Sequence, residues 1–90
     1  MKADEEMFRK QAAEERNLVA EWSRNVQRAR AAGVVDLAAE AQLRVVQHQA
    51  IARELETEVA AAAASRRRFE RSLGDIRTRL AAGSHAPAPR

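Results

Sequence analysis

Apolar residues recur along this chain at steps of three and four, the spacing of a helix that buries one face. From Val19 through Trp22 and Val26 to Ala29 the steps are three, four and three, as in a heptad seam. Phe8 and Ala12 lie upstream, and Glu15 interrupts the seam with a charge. The pattern predicts a first helix over residues 3–32, with Asp4, Glu5 and Glu6 in or near its first turn. Carboxylates there favour the positive end of the helix dipole.

Gly33 follows Ala31 and Ala32, and a glycine at that point suits the left-handed residue that closes a helix. Three residues on, Asp36 is placed to cap the next helix. Gly33, Val34, Val35 and Asp36 therefore read as a tight turn, with no further Gly or Pro until Gly74. The second helix is predicted over residues 37–82. Its seam runs Leu37, Ala41, Val45, His48, Ile51, Leu55, Val59, Ala62, Arg66, Phe69, Leu73, Ile76 and Leu80. Gly83 is expected to end it, and residues 83–90, with alternating Ala and Pro, to form a disordered tail.

So short a connection favours antiparallel neighbours. The expected fold is all-α: an antiparallel two-helix coiled-coil hairpin whose second helix is the longer. Folding about the turn sets Trp22 beside Val45 and Val46, Phe8 beside Val59 and Ala60, and Met1 near Arg67. Beyond about Arg68 the second helix runs past the first. The overhang keeps a seam of large apolar residues, Phe69, Leu73, Ile76 and Leu80. Its economical explanation is a second chain that covers it; the alternative is that the distal helix simply frays.

Composition sharpens this expectation. The chain has 90 residues and is 46% hydrophobic, but about half of those hydrophobic residues are alanine. A small chain with few large apolar groups buries little area and commonly needs a staple, a metal or an oligomer. There is no cysteine, and the two histidines are far apart, so disulfide and metal staples are not expected. Self-association or a helical partner remains. No apolar stretch approaches the roughly 20 residues of a membrane span. The charged N-terminus lacks a signal-peptide core, so a cytoplasmic location is the expectation.

Charge adds one candidate site. Arg66, Arg67, Arg68 and Arg71 head a block in which residues 65–90 carry seven arginines against two acids. The block could attract anionic lipid or nucleic-acid phosphate, meet an acidic stretch of another hairpin, or simply solvate one helix face. No aromatic residues interleave the arginines, so nucleic acid is the weak choice. Enzymatic chemistry has no support: no phosphate-cradling glycine loop occurs, and no nucleophile, base and carboxylate converge. No catalytic residue, cofactor, metal or small-molecule substrate is therefore expected. Trp22 reads as core, and His48 as a polar seam residue that helps set register.

The stretch from Ala20 to Leu80 also resembles a known family through Ala20-Glu21-Trp22, Ala29-Arg30-Ala31-Ala32-Gly33, Asp36-Leu37-Ala38, Glu40-Ala41 and Leu55-Glu56. These residues look like the central coiled-coil hairpin of the phage shock protein A family. That family includes the chloroplast vesicle-inducing protein and sits with the bacterial ESCRT-III-like membrane remodellers. The resemblance implies a coiled-coil hairpin that self-associates or docks on a larger relative, in envelope-stress or membrane-maintenance complexes peripheral to the inner membrane. The chain departs from the family in its apolar tip, Val34 and Val35, where polar residues are usual. It also has no room for the family's N-terminal membrane helix or its C-terminal helices. A basic coiled coil that binds anionic lipid or nucleic acid, and a purely structural subunit of a larger assembly, stand as alternatives.

Overall fold

The computed structural model describes residues 2–85, and they form two helices, α1 over Lys2–Ala31 and α2 over Val35–His85. The two pack along the whole of α1, giving an all-α antiparallel hairpin about 87 Å long and 14 Å wide. At 1.5 Å per residue, α1 spans about 45 Å and α2 about 76 Å.

The turn is shorter than residues 33–36. Gly33 adopts a φ of 73°, and it is the one positive φ among the described residues. Its N–H donates to the Arg30 carbonyl at 3.0 Å, and the Val34 N–H donates to the Ala29 carbonyl at 2.9 Å. This pair of bonds is the Schellman closure, and it satisfies carbonyls that the helix end would otherwise leave open. The chain re-enters a helix at once: the Val34 carbonyl accepts from the Ala38 N–H at 3.0 Å. Val34 thus stands at the capping position, while Val35 and Asp36 already belong to the first turn of α2. Asp36 is there a favourable charge at the positive end of the dipole, not the cap. The Schellman bond to Ala29 uses the residue directly after Gly33, which leaves no length for a four-residue turn.

At its other end α2 passes through Gly83 and continues to His85. Gly83 does not take the left-handed conformation that closed α1. Alanines 81 and 82 are strong helix formers, and nothing at Gly83 diverts the backbone. The rest of the expected tail, residues 86–90, lies outside the described residues, as does Met1.

The core between the helices is made of small residues. Ala12, Val26 and Ala29 of α1 and Ala38, Ala41, Val45, Ala52 and Ala63 of α2 are buried, and Ala52 is fully so. Val26, Ala41 and Val45 form its centre, with Val19 and Trp22 packed against them. Trp22 thus lies beside Val45. Phe8 lines a groove with Glu58, Ala61, Ala62 and Ser65, and Val59 lines another with Ala12 and Ala13. No large side chain among the described residues is fully buried.

Candidate interaction face

The hairpin is pinned by three contacts between polar groups of the two helices. Glu15 and His48, the two polar interruptions of the seams, meet each other: His48 Nδ1 lies 2.6 Å from Glu15 Oε2, both side chains about one-fifth exposed. The charge that interrupts the α1 seam is thus the partner of His48, and α1 runs unbroken through it. A pair of this kind favours one register, because any slip would strand both groups in a half-buried seam. Nearer the open end, Arg16 reaches Glu56 through two bonds of 2.6 and 3.2 Å. The Arg16 guanidinium holds the Glu56 carboxyl below its ordinary range, and Glu56 raises Arg16 in return. Both side chains are almost half exposed, so solvent screens the pair and its stabilisation is small.

The third contact lies where α1 starts. Glu5 is the single buried charged residue among those described, only 4% exposed. Its carboxylate accepts from Arg66 Nε at 2.8 Å and from Arg9 Nη2 at 2.9 Å. The Arg66 guanidinium is the main cause that holds the Glu5 carboxyl below the ordinary range; burial pushes the other way, and Arg9 assists. Arg66 also donates to both oxygens of Glu70, four residues on.

This placement divides the arginine block. Arg66 is only about one-quarter exposed and is engaged by Glu5 and Glu70, so it serves the hairpin and not an external anion. Arg68 reaches Ser65 Oγ at 3.4 Å. Arg67 and Arg71 are exposed. The four residues therefore do not form one free anionic-partner patch. The sequence carried a signal for this that composition alone concealed. Glu5 with Arg9 and Arg66 with Glu70 are both acid–base pairs four residues apart, and antiparallel folding about Gly33 brings the two pairs together.

A run of larger apolar side chains lies elsewhere, on one flank of α2. Ile51, Leu55, Ala62, Phe69, Leu73 and Ile76 follow one another along the helix at three- and four-residue spacing, or multiples of it. Ile51 is 41% exposed, Phe69 54% and Ile76 50%, with Leu80 at 67% beyond them; Leu55, Ala62 and Leu73 are half-buried. The flank begins well inside the paired part of the hairpin, where Ile51, Leu55 and Glu58 line an open groove. The exposure of Ile51 is therefore not produced by the place where α1 starts. The Arg44 guanidinium covers the Trp22 ring at 5.9 Å and shields part of that flank near the turn.

Gly74 faces open space, with no atom within 4 Å of the position a Cβ would take. No group of three or more metal-ligating side chains occurs among the described residues, and no described helix is long and apolar enough to cross a membrane. The fold and this flank define the chain as a helical hairpin that carries a laterally exposed apolar stripe. No known protein family, curated protein or solved structure matches it.

Proposed function

We propose that the chain is a non-enzymatic coiled-coil interaction protein whose α2 flank receives another helix. The observation that carries this reading is the division of labour within α2. Alanines face α1, while Ile51, Phe69 and Ile76 remain exposed and Leu55 and Leu73 only half-buried. Large apolar side chains contribute about 1.5–3 kcal/mol each when buried, and α1 claims little of that here. A second helix laid along the stripe recovers it.

The occupant is a second copy or a larger helical relative, as the resemblance to the phage shock protein A hairpin implies. On that resemblance the setting is an envelope-stress or membrane-maintenance complex, with the hairpin held at the inner membrane through its partner. Direct capture of anionic lipid or nucleic acid has less support, because Arg66 is committed to Glu5 and Glu70.

The test is absolute mass in solution, measured by light scattering on a size-exclusion column over a concentration series. Association that disappears when the chain is cut after Arg68 supports the reading. Association that survives the cut, and also survives Leu55→Gln with Phe69→Gln, overturns it.

A further inference from the structure

The distal part of α2 is complementary to itself when it runs antiparallel, and we infer that the occupant of this part of the stripe is the same segment of a second copy. The inference rests on the proposed helix-docking role and names the partner. Phe69, Leu73, Ile76 and Leu80 are spaced four, three and four. In heptad terms they alternate between the two core positions, d, a, d, a. An antiparallel coiled coil sets a-positions against d-positions. A two-fold axis between Gly74 and Asp75 then places Phe69 opposite Leu80 of the second copy and Leu73 opposite its Ile76. All four layers match, and none is left facing a polar group.

Charge selects the same register independently. Antiparallel helices bring their e-positions together along one edge of the seam. Here these are Glu70 and Arg77. About the same axis Glu70 faces Arg77 of the second copy, and the two-fold repeats the pair. A parallel arrangement offers nothing comparable: its flanking positions would set Ser65 against Glu70 and Ser72 against Arg77. It would also stack Arg66 on Arg66 in one core layer, two like charges in a site already filled by Glu5. The antiparallel arrangement keeps the two Arg66 side chains apart and sends the hairpin bodies in opposite directions. It also brings the end of each α2 up to the acidic first turn of its neighbour's α1, where Asp4 and Glu6 are exposed. Arg67, Arg68 and Arg71 fall on the outer positions and take no part in the seam.

Four apolar side chains per chain make a small interface, so the dimer is weak.

Two experiments on the full chain decide it. In the first, Glu70→Arg and Arg77→Glu are made singly. Each is expected to weaken self-association roughly tenfold, because both copies of the pair become like-charged. An equimolar mixture of the two variants is expected to associate as the wild type does, since each mixed pair is again opposite in sign. In the second, nitroxide labels are placed on single cysteines introduced at Asp75, Arg71 and Arg67, in a chain with no native cysteine. The separation of like labels along the helix axis should grow by about 3 Å for each residue away from the two-fold, so the label distance lengthens from Asp75 through Arg71 to Arg67. A label distance that stays constant from Asp75 to Arg67 means parallel pairing and overturns the inference. So does a mixture no tighter than its components. If those results appear while Leu73→Gln still abolishes association, the helix-docking role stands and only the antiparallel register falls. A wild type that remains monomeric up to about 1 mM, where even about 4 kcal/mol of association free energy would show, overturns the second copy and leaves a different helical chain as the occupant.

Discussion

Replacing Gly33 by alanine tests the turn on which the hairpin depends. Gly33 holds a φ of 73°, where an L-residue with a Cβ is strained by roughly 1–2 kcal/mol. No atom lies within 4 Å of the position of the added Cβ, so the cost is conformational and not a clash. Against it stands the stiffer unfolded chain that alanine confers, a gain of about 0.4–1 kcal/mol. If the turn opens to relieve the strain, it loses the bonds to Arg30 and Ala29, each contributing about 0.5–1.5 kcal/mol. The net expectation is a loss of about 1 kcal/mol, which for a domain of this size lowers the melting temperature by about 4–8 °C. Gly33→Asn should lose about half as much, because asparagine tolerates the left-handed region better. Thermal melts followed by circular dichroism at one fixed protein concentration measure both; concentration must be held because association shifts the melt. An alanine variant that melts with the wild type, or an asparagine variant less stable than the alanine one, would refute the argument.

The same substitution at Gly74 should act in the opposite sense. There the glycine is mid-helix in open space, and Gly74→Ala gains about 1 kcal/mol of helix propensity, read as greater helicity and slower amide exchange in residues 70–82. Val26→Ala or Val45→Ala removes two buried methyl groups from the centre of the core; at about 0.8 kcal/mol each plus a cavity term, the loss is about 2 kcal/mol in chemical denaturation. Among the arginines, Arg66→Gln should lower the melting temperature most, since it strips Glu5 of its main partner, whereas Arg67→Gln and Arg71→Gln should leave it nearly unchanged; equal effects for all three would contradict the pairing. The Glu5 and Glu56 carboxyls sit below their ordinary ranges, so the stability they contribute is complete above the unfolded carboxyl pKa and is lost as pH falls through their folded values. Melting temperature should therefore fall below about pH 4, and less steeply in a chain carrying Glu5→Gln and Glu56→Gln.

Much of the hairpin was legible in the sequence because its signals are local. Gly33 after a run of apolar steps, with no competing breaker for forty residues, leaves one place for the chain to reverse. Helix ends were less legible. Asp36 is a good capping residue by type, but the Schellman bond from Val34 to Ala29 fixed the reversal two residues earlier, and residue type alone does not say which of two local closures the chain takes. Gly83 shows the reverse case: glycine permits a helix to end and does not compel it. The role of Arg66 was hidden because a cluster of like charges reads the same whether or not a buried acid from 61 residues away answers one of them.

The single seam read from α2 merges two faces that the structure separates. A three-and-four spacing recurs along a helix at several angular positions, and when many candidates are alanine the pattern alone cannot say which face meets α1. The helices resolve this through size. Alanines at 38, 41, 52 and 63 are the residues buried against α1, and Ile51 and Leu55 fall to the side of them. A hairpin built this way is held in register by Glu15–His48, Arg16–Glu56 and Glu5–Arg66, contacts that orient more than they stabilise. The apolar residues that would make the hairpin strongly stable by itself are the ones it turns outward. Its stability and its association are therefore coupled: whatever buries the α2 flank also supplies much of the energy that the alanine seam does not.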